Sequence, residues 1–161
     1  MAWIEVKPVI DHSVRNLCTT PYPGHPRGCP NYGKKIGCPP ETHLFDQVYD
    51  LNQPVFAVYN VFDMAEHIRR MKVAHPAWSD RQLRCCLYWQ GGARVKLREA
   101  IPYFLREYPG YNIARTPEAM GVNIDATMAA AEIKLEWSPT TKAYQIILAA
   151  KAIPRTREGV E

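Results

Sequence analysis

From Trp3 to Ile10 apolar and polar positions alternate, which predicts an early strand, and Pro8 assigns it to a sheet edge because proline cannot donate to an inner ladder. Residues 54–62, almost wholly apolar, predict a central strand buried on both faces. Asp63 then caps a predicted helix over 64–74 that must stop before Pro76. Ser79 with Gln82 has the spacing of a capping box and opens the longest predicted helix, 79–107. On it Leu83, Cys86, Leu87, Leu97, Ile101, Phe104, Leu105 and Tyr108 fall on one face, with Gly91 and Gly92 as a kink or break. A short helix over 42–50 opened by Thr42, helical segments over 117–131, and a hairpin made of 132–137 and 143–153 complete the expected elements. From Arg155 onward the chain reads as a polar tail.

One stretch resists every regular pattern. Of the 14 prolines and 9 glycines, ten lie within residues 21–40, where they interrupt any helix or ladder. A structureless loop over 16–40 needs something besides a core to order it. The predicted architecture is therefore one α+β domain spanning 1–161, with a small mixed sheet, a long helix packed on it, and a Cys-rich loop inserted after the first strand.

Composition adds a few exclusions. The chain has 161 residues, 22% of them charged and 47% apolar, which rules out disordered and fibrous classes. No run approaches the ~18 apolar residues of a membrane span, and the N-terminus has no apolar stretch of an export signal. These features predict a cytoplasmic protein with no membrane partner. The net charge of +4 permits an anionic or nucleic-acid partner without requiring one.

The candidate chemistry lies in the thiols. Five cysteines are an odd number, which argues against a disulfide framework and for metal binding. Cys18, Cys29 and Cys38 belong to the loop, and the fourth ligand of a metal set would come from Cys86, or alternatively Cys85, on the long helix. No Cys-x-x-Cys knuckle of a zinc ribbon occurs. Wide spacing, with proline after both Cys29 and Cys38, favours an iron–sulfur cluster of the [4Fe-4S] type, with zinc as the alternative. Gly28, Gly33 and Gly37 would let backbone amides approach cluster sulfurs, and Arg15, Arg27, Lys34 and Lys35 would offset the charge of bound thiolates. His25 and His43 are substitutes for a missing cysteine. The bland reading of Cys85 and Cys86 is that the one not ligating is an ordinary small buried residue.

Two segments carry a family resemblance. Gly28-Cys29-Pro30-Asn31-Tyr32-Gly33 followed by Cys38-Pro39-Pro40, and Arg115 through Gly121, Ile124, Asp125 and Thr127, resemble signatures of a family of uncharacterised prokaryotic predicted metal-binding proteins. The closing apolar strand at Tyr144 is also similar, so the likeness runs over residues 18–150. It implies metal binding and no particular reaction. The chain departs from that family in lacking its second Cys cluster, since residues 111–115 hold no cysteine, and in carrying the Cys85–Cys86 pair. One metal site is therefore expected.

Two functions are compatible with these residues. One is an iron–sulfur protein, a redox carrier with a redox partner or an enzyme using iron as a Lewis acid on a small-molecule substrate. The other is a zinc-stabilised module whose acid-free, basic loop contacts nucleic acid. Elsewhere, Arg81, Arg84, Arg94 and Arg98 with Trp78, Tyr88 and Trp89 could serve nucleobase stacking, but read more simply as a solvated helix face. Asn123 or Asp125 is explained as a helix cap, and no acid/base pair stands at readable spacing.

Overall fold

The structure is a computed structural model that describes residues 2–22 and 24–154. The polar tail expected from Arg155 lies outside the described residues. Four strands, β1 (Ala2–Val6), β2 (Val55–Asp63), β3 (Asn112–Ala114) and β4 (Lys142–Ala150), form one sheet in the order β1-β2-β4-β3. All three pairings are antiparallel, so the α+β class stands while the sheet is not mixed. β2 is an inner strand as its apolar run requires, and β1 is an edge. The first strand ends at Val6, before Pro8, and Ile10 makes only an isolated bridge to Val122.

Alternation along β2 and β4 sends side chains to two cores. Phe56, Val58, Ile147 and Ala149 face helix α4 (Gln90–Glu107), where they meet Leu97, Ala100, Ile101 and Phe104. Phe104 sits at the centre of this layer, its ring 5.7 Å from Trp3, 5.5 Å from Phe56 and 4.9 Å from Tyr108. On the opposite face, Val55, Ala57, Leu148 and Ala150 pack with Phe45 of α1 (Phe45–Val48), with Met120, and with Ile124 and Met128 of α5 (Ile124–Ala130).

Local signals placed several helices. The Asp63 carboxylate accepts from the Glu66 amide at 2.8 Å and opens α2 (Met64–Ala74). Ser79 and Gln82 make the capping box at the start of α3 (Asp80–Leu83). The expected single helix over 79–107 is instead α3, a 3-10 turn at Cys86–Tyr88, and α4. The break falls at Arg84–Cys85, because there Trp89 turns back to stack on Phe62 at 5.0 Å and donates its indole N–H to the Arg84 carbonyl at 3.2 Å. Gly91 and Gly92 lie inside α4 and do not break it.

Two further expectations change. Residues 132–137 form no strand: Glu132 and Ser138 have positive φ, and Trp137 reaches back to donate to Asp125 at 3.1 Å. The partner of β4 on that side is the short β3, which alternation over three residues cannot announce. Asn123 caps α5 by accepting from Ala126 at 2.9 Å. The helix expected from Thr42 begins instead at Phe45, with Leu44 at its cap. Among the described residues no helix is long and apolar enough to cross a membrane.

Candidate metal centre

The loop starts from a 3-10 helix, His12–Cys18, capped by Asp11. Its backbone is tied at several points to the layer holding α1 and α5. The Asp11 amide donates to the Gly121 carbonyl at 2.9 Å, and His12 pairs with Asp46 of α1 at 3.1 Å. Arg15 donates to the carbonyls of Pro40 and Thr42 at 3.3 and 3.1 Å, closing the loop's two ends on each other. The Thr116 hydroxyl donates to the Gly37 carbonyl at 2.9 Å. Between these ties the chain advances by turns, with the Tyr32 amide on the Cys29 carbonyl at 3.1 Å and the Cys38 amide on the Lys35 carbonyl at 3.0 Å.

Cys18 and Cys29 are joined through backbone. The Cys29 amide donates to the Cys18 carbonyl at 2.8 Å. Gly28, at φ +78°, lies so close that a Cβ there would stand 2.6 Å from the Cys18 oxygen and 2.7 Å from the Thr19 carbonyl carbon. No side chain fits, so the glycine is what allows Cys29 to lie against Cys18. Cys18, Cys29 and Cys38 are free and half-buried. Burial pushes the Cys18 thiol up, and the neighbouring Cys29 and Cys38 push it further, while Arg15 opposes them. These three thiols therefore share one electrostatic neighbourhood.

Glu118 enters that neighbourhood from the 3-10 turn Glu118–Met120, adding a raising influence on Cys18. Much of its surface is exposed, yet the atoms packed around its carboxyl push its own pKa up. Sequence reasoning did not single it out. Its one signal was its place inside the Arg115–Thr127 segment that resembles the metal-binding family.

The side chains are not drawn to ligating distance: among the described residues, no group of three or more His, Cys, Asp or Glu is placed to hold a metal ion. Cys85 and Cys86 are not brought to the loop. They adjoin Trp89, which stacks on Phe62 on the α4 face of the sheet. The loop leaves β1 beyond Val6, which pairs with Val55, seven residues along β2 from Phe62, or about 23 Å of strand. Cys86 is exposed rather than on an apolar helix face, because the helix expected to carry it is broken there. His25 lies half-buried against Tyr22, with ring centroids at 4.6 Å, and His43 is exposed. Comparison with family models, curated proteins and solved structures finds no match to this chain. The site's own residues are the three loop thiols, with Glu118 acting on Cys18.

Their chemistry suits a soft cation. Three thiolates in one neighbourhood repel one another, and bound metal converts that repulsion into attraction. The ties at Arg15, Thr116 and Gly28 hold the loop's backbone.

Proposed function

We propose that the chain is a metal-binding protein whose Cys18, Cys29 and Cys38 hold an iron–sulfur centre of the [4Fe-4S] type. The observation that carries this reading is the backbone contact that sets Cys29 against Cys18 at a glycine with no room for a side chain, within a loop that also holds Cys38. Wide ligand spacing and proline after Cys29 and Cys38 favour the cluster over zinc. The likeness to the predicted metal-binding family supports the same site.

With Cys85 and Cys86 on the other face, three cysteines leave one iron without a protein thiolate. Such a centre supplies a Lewis-acidic position for a small-molecule ligand, whereas a sealed electron carrier would have four protein ligands. The chain's own contribution is to seat the thiols: Gly28 sets Cys29 against Cys18, and Arg15 offsets thiolate charge. Glu118 is the carboxylate whose charge reaches Cys18.

Anaerobic reconstitution with ferrous iron and sulfide tests this. The expected product is brown, with about four iron and four sulfide per chain. Cys18→Ser, Cys29→Ser and Cys38→Ser should each abolish it, whereas Cys85→Ser and Cys86→Ser should retain it. A colourless protein with stoichiometric zinc would overturn the cluster in favour of a zinc-structured loop.

A further inference from the structure

The aromatic residues between α2 and α4 form a short stack at the surface. His75 lies parallel to Trp78, with centroids at 3.9 Å and an interplanar angle of 8°. Trp78 in turn meets Tyr88 at 4.9 Å. The two ends of the stack, His75 and Tyr88, are both exposed, Tyr88 by 55%. Leu87 and Val73, one and two residues along the chain from Tyr88 and His75, are 84% and 80% exposed.

Charge is concentrated on the same segment. Residues 64–98 carry eight Lys and Arg against two Asp and Glu, an excess of six in a chain whose total is only +4. The rest of the protein is thus slightly acidic. Among the described residues only Arg69 of these eight is paired with a carboxylate, that of Glu66. Lys72 and Arg84 are instead held by neutral carbonyls, Lys72 at Trp78 itself. The Lys72 ammonium donates to the Trp78 carbonyl at 3.1 Å, and Arg84 donates to the Asp80 and Ser138 carbonyls at 3.3 and 3.4 Å. Carbonyl bonds position these cations without neutralising them, leaving their charge for an anion.

We propose that the His75–Trp78–Tyr88 stack, with Lys72, Arg81 and Arg84 around it, is a docking surface for single-stranded nucleic acid. Exposed ring faces accept unpaired bases of any sequence, while flexible cations spaced around them meet backbone phosphates. A duplex offers its phosphates but keeps its bases stacked inside, so it would use only half of this surface. An anionic membrane would attract the cations, but flat ring stacking has no counterpart in a lipid headgroup. The simple reading of the arginines as a solvated helix face does not account for the aromatic stack placed among them. This surface lies apart from the Cys-rich loop and does not depend on a metal there.

Fluorescence anisotropy with labelled oligo-uridine and oligo-thymidine of about twelve nucleotides tests the proposal. Binding at low salt should weaken as salt rises, and Lys72→Ala or Arg81→Ala should each reduce the log–log salt slope by about 0.7. Tyr88→Ala should weaken binding about tenfold at unchanged slope, and Tyr88→Phe should restore it. Tyr88 is exposed, so the variant should keep its far-ultraviolet circular dichroism spectrum; the Lys72 and Arg81 slopes test the same surface independently of it. Three outcomes would overturn the proposal. They are no binding at low salt, equal affinity for a duplex with no effect of Tyr88→Ala, or preferential adsorption to phosphatidylserine vesicles.

Discussion

The Cys29 amide donates to the Cys18 carbonyl at 2.8 Å, and that one backbone bond makes neighbours of thiols eleven positions apart. It depends on Gly28, whose φ of +78° and missing Cβ let the two strands of the loop touch. Gly28→Ala would impose both a left-handed alanine and a collision with backbone oxygen, and backbone cannot move aside as a side chain tip can. The left-handed conformation alone costs about 1–2 kcal/mol. Gly33→Ala is the control: its φ of +66° carries the same penalty, but nothing stands within 4 Å of its Cβ. Cluster loading should fail in Gly28→Ala and survive in Gly33→Ala. Equal loading of the two variants would mean that the Cys18–Cys29 contact does not shape the site.

Ligation makes a second demand on the loop. If Cys29 binds metal, Cys29→Ser removes a cross-link, and residues 16–40 should become protease-sensitive while the sheet and helices stay folded. A merely structural, half-buried thiol would cost about 1 kcal/mol on the same exchange and leave cleavage unchanged. Limited proteolysis of the metal-loaded protein, with and without a strong chelator, distinguishes these cases. Identical cleavage patterns in wild type and variant would count against a metal role for Cys29.

The helix–sheet body should respond quite differently. Phe104 is fully buried between Trp3, Phe56 and Tyr108, so Phe104→Ala leaves a void that three aromatic neighbours can only partly fill. The expected loss is about 3–5 kcal/mol, read as a lower midpoint in urea. A loss under about 1 kcal/mol would show that this layer repacks easily, contrary to the close ring contacts seen here.

These contrasts track what was legible in the sequence. Asp63 with Glu66, and Ser79 with Gln82, announced their helices because capping is settled within four residues. The apolar run of β2 announced an inner strand for a similar reason. What escaped was set by distant partners. The helix breaks at Arg84–Cys85 because Trp89 finds Phe62, twenty-seven positions earlier, and no periodicity encodes that contact. Residues 132–137 have strand-like alternation, yet positive φ at Glu132 and the Trp137–Asp125 bond take them away from the sheet. In the loop, composition marked an irregular segment and the cysteines marked the candidate ligands. The nearness of Cys18 to Cys29 and Cys38, and the reach of Glu118's charge to Cys18, needed the folded backbone.

His67 supplies the last prediction. It is 2% exposed, and among the described residues neither ring nitrogen has a hydrogen-bond partner. Its ring lies 5.5 Å from that of Phe62. Burial, and secondarily the Arg70 charge, holds its pKa below the ordinary 6.5. The unfolded chain therefore takes up this proton at higher pH than the folded one does. The resulting stability is fully present above about 6.5 and is lost as pH falls toward and through the lower folded value. Denaturant midpoints measured from about pH 7.5 down to about pH 5 should fall more steeply for wild type than for His67→Phe, which has no proton to gain. The difference between the two profiles isolates His67 from the carboxylates that titrate in both proteins. Parallel profiles would mean that the imidazole reaches water or a partner in the folded state, and that α2 and α3 do not seal it.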